Sequence, residues 1–522
     1  MAKHHNTQKL LARAGNQSTK IARAAVTKGG LAANRRAHDD EQSMTMLMEA
    51  EGRVDDAADI HVSSIAPARP VIWFEVEDFL RYFDHFPNPI GMYRVALEIL
   101  ASLWQRHPAT DRIRLCRLSL YSKKLETIAF ETLLAAYSNP PGADAPWHAI
   151  PLPMDRWRKP AKIAGALARM PRYVVRVLTP VFRDLWRARL GNSSRDRSMS
   201  RGDIVVSLGG PWINPRYSEC IGELKESHGV KFVQLIHDTI PIDYPERMPY
   251  FGEAYRRWFR QITSTTDLVV TVSQFSRSRL LSLAASQGVV LPPVEVIRLG
   301  AGFTQDQRRP ARHSSVARLP ERYVLCVSTF EVRKNHRFLI RVWQRILERR
   351  GADAVPTLVL VGRPGYLMFD FLKIRSELEA TSCLDGKIVV LPNLPDGGLR
   401  EVFQRCLFTV YPSLCEGWGL PVAESLVQGK FCLASNRTSL PEVGGDFVDY
   451  FDPTNEEDAL AKIERALIDP AYLAAREARL RAEFQPSSWD DCANALVDKV
   501  EQLARPATAR RAPQGGHTAS SH

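Results

Sequence analysis

The chain has 522 residues, 45% hydrophobic and 25% charged, with a formal net charge of +12. That length allows two or three domains each with a full core, and that balance is the one of a globular protein rather than a fibrous or low-complexity one. No apolar run approaches the ~20 residues of a membrane span. The basic N-terminus lacks the apolar stretch of a secretory signal, and the cysteines form no C-x-x-C pair, so the reading is a cytoplasmic protein with reduced, buried thiols and no structural metal.

Residues 1–37 carry eight Lys/Arg and no acid, so the first 66 residues read as a basic, disordered extension with a short helix near 44–51. A first folded domain is expected over 70–300. It opens with a strand at 71–76, after which Pro89-Ile90-Gly91-Met92-Tyr93-Arg94-Val95 leads into a helix reaching about Trp104. Gly91 either aims backbone N–H groups at a ligand or makes a plain strand-to-helix turn. A second strand occupies 112–120. A basic insertion runs from about 140 to 201, and its part from 155 to 201 sets 13 Lys/Arg against 3 Asp, interleaved with Trp157, Tyr173, Phe182 and Trp186. Its helical stretches at 163–170 and 173–190 suit an anionic membrane surface, or else a solvated helix with one face in the core. Strands at 203–210 and 231–236 follow, and the second delivers His237-Asp238 to its carboxyl end, where open α/β sheets bind ligands. A strand at 267–273, a helix from about Arg277 and a strand at 294–298 complete the domain, and 301–320 reads as a linker.

The second domain, 321–490, alternates strands at 323–328, 357–361, 387–391, 407–411 and 430–434 with helices such as 337–349 and 369–380, the pattern of a doubly wound parallel sheet. Its first strand runs into Arg333-Lys334-Asn335, two cations at a helix entrance that suit a diphosphate. Gly362 and Pro392-Asn393 follow the next two strands, where by position they would flank a nucleotide base. The fourth strand ends in Tyr411-Pro412-Ser413 and leads to Cys415-Glu416-Gly417-Trp418-Gly419-Leu420-Pro421, a loop before a helix at 422–428 closed by Gly429. The helix N-terminus suits a phosphate, the glycines let backbone approach a ligand, and the carboxylates of Glu416 and Glu424 accept hydrogen bonds from hydroxyls such as those of sugars. A last helix at 492–503 and a polar tail from 505 to 522 end the chain.

The Glu416 to Glu424 stretch resembles the E-x7-E signature of retaining GT-B glycosyltransferases of family 4, which includes bacterial mannosyl- and glucosyltransferases. The segments His237-Asp238-Thr239-Ile240-Pro241, Val272-Ser273-Gln274-Phe275-Ser276, Arg333-Lys334-Asn335 and Pro441-Glu442-Val443-Gly444-Gly445 are similar to the same family, and the likeness covers about residues 70–503. It departs from some members at Ser328-Thr329, where they carry an arginine after a glycine. The resemblance implies an α/β fold of two Rossmann-like domains with a cleft between them and a C-terminal helix, 491–504, crossing back onto the first. It implies a nucleotide-diphosphate sugar as donor (GDP-mannose first, or a UDP-sugar), a glycan or lipid-linked saccharide as acceptor, and transfer of a hexose in cell-surface polysaccharide or lipopolysaccharide synthesis. No metal, cofactor or nucleic acid is expected, and a peripheral seat on the inner membrane face is. Carried onto this sequence, the catalytic group is Glu416, His237 and Lys334, with His237 facing the transferred sugar and Glu416 not assigned as a nucleophile. Donor binding falls to Arg333, Lys334, Glu416, Gly417, Trp418, Gly419, Leu420, Glu424, Gly362, Pro392 and Asn393, with Glu424 on the ribose, and Gly91 lies near the donor phosphates and the acceptor. Two rival readings stand beside this one: a catalytically silent GT-B scaffold subunit, and a GT-B phosphorylase or epimerase.

Overall fold

Among the described residues of the computed structural model, thirteen short strands form two sheets, and the apolar strands at the centre of each are buried on both faces, as parallel sheets flanked by helices must be. The structure describes residues 69–83, 89, 91–106, 112–118, 125–131, 133, 199–214, 216–244, 249–302, 314–363, 365, 374, 386–391 and 394–504. The expected N-terminal extension, nearly all of the basic insertion, most of the helix at 369–380, much of the linker and the C-terminal tail lie outside these residues. Both sheets belong to one compact unit that starts at Arg69.

The first lobe contains β1 (Ile72–Glu75), α1 (Glu77–Phe83), α2 (Met92–Arg106), β2 (Ile113–Leu118), β3 (Leu125–Ile128), β4 (Ile204–Ser207), α3 (Tyr217–His228), β5 (Lys231–Ile236), α4 (Pro249–Thr265), β6 (Leu268–Thr271), α5 (Gln274–Ser286) and β7 (Val294–Val296). Its sheet runs β3-β2-β1-β4-β5-β6-β7. All neighbours are parallel except β2 and β3, which pair antiparallel with Leu118 opposite Leu125. The second lobe contains β8 (Tyr323–Val327), α6 (His336–Arg350), β9 (Thr357–Val361), β10 (Ile388–Leu391), α7 (Asp396–Arg405), β11 (Thr409–Tyr411), α8 (Leu420–Val427), β12 (Cys432–Ser435), β13 (Val448–Phe451), α9 (Glu456–Ile468), α10 (Pro470–Glu483) and α11 (Trp489–Ala504). Its sheet runs β10-β9-β8-β11-β12-β13. This is the expected pair of Rossmann-like lobes.

Differences from the sequence reading have local causes. The helix expected from Arg277 begins at Gln274, because the Ser273 side chain accepts from the Ser276 N–H and caps it. The last helix starts at Trp489, three residues early. Edge strands β3 and β13 escaped notice because each is four residues long and mixes apolar with polar positions, and β13 is buried only at Val448 and Phe451 among its four residues.

The two lobes share a core. One apolar cluster joins Phe74, Ile99, Val206 and Val270 of the first to Trp418, Val422 and Leu426 of the second and to Trp489 and Leu496 of α11. Helix α11 crosses back onto the first lobe, where Arg106 Nη2 meets Asp490 Oδ2 at 2.6 Å, Lys231 Nζ donates to the Leu503 carbonyl at 2.6 Å, and Lys499 Nζ pairs with Glu295 at 2.6 Å. Surface pairs of this kind contribute little. Burial of Trp489, Cys492, Leu496 and Val500 holds the helix. The indole Nε1 of Trp489 donates to the Gly302 carbonyl at 3.2 Å, and a Cβ on Gly300 would stand 2.5 Å from the Trp489 nitrogen, so a side chain at 300 would push α11 away. Among the described residues, no helix is long and apolar enough to cross a membrane, and seven cysteines are buried.

Replacing Trp489 with alanine should lower the stability of the two-lobed unit by about 3–5 kcal/mol, measured by denaturant unfolding. A loss confined to α11, with the lobes unfolding as before, would contradict the shared core.

Candidate functional site

The carboxyl ends of β8 and β11 are neighbours in the second sheet, and each hands the chain to a loop that enters a helix. The β8 loop carries Glu331, Arg333 and Lys334, and the β11 loop carries Glu416. Lys334 Nζ lies 2.5 Å from Glu416 Oε1 and 2.9 Å from the Tyr411 hydroxyl, which itself donates to Glu416 Oε1 at 3.0 Å. Arg333 Nη1 lies 3.0 Å from Glu416 Oε2 and donates to the Cys415 carbonyl at 3.1 Å, while its Nε donates to Glu331 at 2.8 Å. Glu416 and Lys334 are buried, 6% and 7% exposed, so these charges depend on one another. Burial alone would push the Glu416 carboxyl up, but Lys334 and Arg333 outweigh it and hold it down at about 2. Burial lowers the Lys334 ammonium, and Arg333 beside it adds to the lowering against the pull of Glu416. Two cations and two carboxylates thus stand neutralised at one loop junction, a charge arrangement that an incoming dianion can reorganise.

The Glu416 loop is seated by residues the sequence reading did not single out. The Glu416 N–H donates to Thr438 Oγ1 at 3.0 Å, and Ser439 Oγ donates to the carbonyls of Glu416 and Trp418 at 3.0 and 2.6 Å. Thr438 holds φ at 58°, a left-handed conformation that is strained for a β-branched residue. The threonine is kept there because its hydroxyl faces the Glu416 amide. The Leu414 N–H donates to the Arg333 carbonyl at 2.7 Å, which ties the two loops together by backbone.

The first lobe touches the same loop. Ser273 Oγ donates to the Gly417 carbonyl at 2.7 Å, and Ser276 Oγ stands 3.1 Å from that carbonyl and 3.0 Å from the His237 carbonyl. Glu442, from the segment after β12, accepts the N–H groups of Gln274 and Phe275 at the start of α5, at 2.9 and 3.3 Å. His237 Nε2 donates to the Leu208 carbonyl at 2.8 Å, which leaves Nδ1 as the acceptor of a neutral ring. Burial drives that ring down to about 4, so it stays uncharged near neutral pH. On the same side, Gly210 N–H donates to Asp78 at 2.8 Å, and burial raises the Asp78 carboxyl to about 6.

The structure places the individual residues of the sequence reading as follows. At the loop glycines, where the sequence expects backbone to approach a ligand, a Cβ on Gly417 would meet the His237 carbonyl at 2.5 Å and one on Gly419 would meet Leu440 Cδ2 at 2.6 Å. Protein fills both side-chain positions, so the loop packs as it does only with glycine at each. The Trp418 side chain lies in the shared core, which leaves its backbone as the part that can face a ligand. Leu420 packs its side chain on that core and supplies the first turn of α8. Gly362 stands where a Cβ would strike the Ser328 carbonyl at 1.8 Å, so its role is the close approach of the β8 and β9 ends. Pro392 and Asn393 lie outside the described residues. Gly91 holds φ at 52° with open space around it and makes the turn into α2. Arg94, one turn further on, is what reaches the second lobe: its Nη1 is 2.5 Å from Glu424 Oε1, and its Nη2 donates to the Gly302 carbonyl at 3.1 Å. Glu424 is therefore not in the cluster with Glu416. It is 2% exposed, and burial raises its carboxyl against the opposing charge of Arg94.

Residues 307–483 match the family described as Glycosyl transferases group 1. The chain is similar to the O-antigen chain mannosyltransferase B of Escherichia coli, 28% identical over 276 residues, which is 52% of this chain and 70% of the relative. It is also 27% identical over 278 residues to the serotype-specific mannosyltransferase WbdA of Escherichia coli, spanning only 34% of that longer protein. In fold it resembles Anabaena Alr3699/HepE, solved in complex with UDP and glucose, with a TM-score of 0.52, 15% identity, and coverage of 83% of this chain and 100% of that one.

Two outcomes test the geometry. Because the Glu416 carboxyl is held below its ordinary value of 4.5, its share of stability is intact above that pH and is lost as pH falls toward about 2; Glu416→Gln should flatten the stability profile in that window, read by thermal unfolding across pH. Thr438→Gly relieves the backbone strain while removing the hydroxyl, so stability should stay within about 1 kcal/mol while the Glu416 amide exchanges faster with deuterium. An unchanged exchange rate would remove Thr438 from the support of this loop.

Proposed function

We propose that this chain, whose residues 307–483 match the family of glycosyl transferases group 1, moves mannose from GDP-mannose to a growing glycan or lipid-linked saccharide during surface-polysaccharide synthesis, with retention of the anomeric configuration. The observation that carries the proposal is the cluster of Arg333, Lys334 and Glu416 at the carboxyl ends of β8 and β11. An arriving diphosphate competes with Glu416 for the two cations, and the carboxylate so released is placed to accept hydrogen bonds from sugar hydroxyls. As the glycosidic bond breaks, negative charge grows on the departing diphosphate, and Arg333 and Lys334 are already oriented to stabilise it. Helix α8 adds its positive end. Pro421 has no N–H, and the Val422 and Ala423 amides turn back to the Gly419 carbonyl, so the amides of Gly419 and Leu420 are the ones left for an oxyanion. His237, neutral with Nδ1 as acceptor, suits a hydroxyl of the transferred sugar. The choice of mannose is supported by the likeness to the Escherichia coli mannosyltransferases. The choice of GDP rests on the same likeness, and a UDP-sugar is the competing donor.

Calorimetric titration with GDP-mannose, GDP, UDP-glucose, UDP and ADP tests the reading. GDP-mannose should bind most tightly among the sugars, and Lys334→Ala should weaken it at least about tenfold, the usual cost of one charge-assisted phosphate contact. Glu416→Gln should leave donor affinity within a few-fold while lowering turnover on the order of 100-fold. If no nucleotide binds the intact chain, the proposal fails and a silent scaffold is the better account. Preferential binding of a UDP-sugar would overturn the donor alone.

A further inference from the structure

We propose that Arg94, in the first lobe, is the positioning residue that charges and aims Glu424 toward the donor ribose, so that this part of the donor site is complete only when the two lobes are docked. The inference rests on the donor-binding reading above. It starts from the observation that Glu424 does not share the cations of the second lobe. Its carboxylate is paired at 2.5 Å with a guanidinium from α2, a residue 330 positions earlier in the chain. Both groups are buried, Arg94 at 7% and Glu424 at 2% exposed. A buried carboxylate without a counter-charge would take up a proton instead of staying ionised. Arg94 opposes that protonation directly, in an environment where burial and Asp396 both favour it.

The second arm of the same guanidinium explains why an arginine stands there. Arg94 Nη2 donates to the Gly302 carbonyl, which also accepts from the Trp489 indole. Gly302 closes the first-lobe segment, and Trp489 opens the helix that returns from the second lobe. One planar fork therefore spans the donor-lobe carboxylate and the junction where the chain passes between lobes. A lysine can carry the charge but not both bonds in that fixed geometry. Three consequences follow from this geometry. Undocking the lobes removes the counter-charge of Glu424. A carboxylate that loses it accepts fewer hydrogen bonds from a vicinal diol. The preference for a ribose over a 2′-deoxyribose is thereby read partly by a residue outside the nucleotide-binding lobe.

The test compares GDP with 2′-deoxy-GDP, and UDP with 2′-deoxy-UDP, by calorimetry on the full chain and on Glu424→Gln, Arg94→Met and Arg94→Lys, with melting temperature recorded for each. The wild type should prefer the ribonucleotide by about tenfold, as expected for a hydroxyl bonded to a buried charged group. Glu424→Gln and Arg94→Met should both lose that preference, and Arg94→Lys should regain part of it. A lower melting temperature shared by Arg94→Met and Arg94→Lys is compatible with this result, because only the sugar preference separates them. If Arg94→Met destabilises the chain too far to be measured, the Arg94→Lys variant decides: a preference intermediate between wild type and Glu424→Gln supports the assignment. A wild-type preference in Arg94→Lys or in a folded Arg94→Met, with Glu424→Gln defective, would overturn the role of Arg94 and leave the donor reading intact. A wild type with no ribose preference would remove Glu424 from the ribose, and a wild type that binds neither nucleotide would sink both proposals.

Discussion

Burying the Glu416 carboxylate against Arg333 and Lys334 is the constraint on which the rest of the second lobe depends. Desolvating an ion pair costs several kcal/mol, and a hydrophobic replacement of like volume often does as well or better for stability. A stable fold alone would not need this cluster. Keeping it demands partners for the buried charges, and the surrounding residues supply them: Tyr411 takes a hydrogen bond from Lys334 and donates to Glu416, Cys415 lends a carbonyl to Arg333, and Thr438 accepts the Glu416 amide at the cost of a left-handed backbone. The pattern is one of two cations satisfied by a protein carboxylate, which under the proposed function a dianion would displace.

The two lobes are bound to each other at the candidate site. Gly417, in the middle of the Glu416 loop, carries the carbonyl that Ser273 holds from the first lobe, and its missing side chain is the space occupied by the His237 carbonyl. Glu442 of the second lobe answers the open amides at the start of α5 in the first. Around Glu424 the same theme recurs with Arg94 and Gly302. Groups of the candidate site on one lobe therefore have positions set by the other, so under the proposed function docking of the lobes and formation of the site are parts of one event.

Helix α11 supplies the remaining restraint. Its apolar face lies in a core to which both lobes contribute, so relative motion of the lobes must slide or bend this packing. Charged pairs along its length with Arg106, Arg112 and Glu295 fix its register on the first lobe, while the buried face of Trp489, Leu496 and Val500 supplies the energy.

Much of the architecture was legible in the chain itself. Alternating apolar strands and amphipathic helices announced two doubly wound sheets, because strands covered on both faces must be apolar throughout. Arg333, Lys334 and Glu416 were legible as a group because each sits within a few residues of a strand end, and strand ends of a parallel sheet converge. What depended on tertiary structure was every relation across a long sequence separation. Glu424, read as a hydrogen-bond acceptor eight positions from Glu416, faces a different partner, since Glu416 lies in the loop before α8 and Glu424 on the helix itself, and only the docked first lobe brings Arg94 to Glu424. The side-chain positions of the loop glycines are taken by the His237 carbonyl and Leu440, a close fit that the sequence does not show, because room at a glycine is decided by whatever segment folds against it. Local pattern determines which elements form and what their ends can offer; packing decides which of those offers meet.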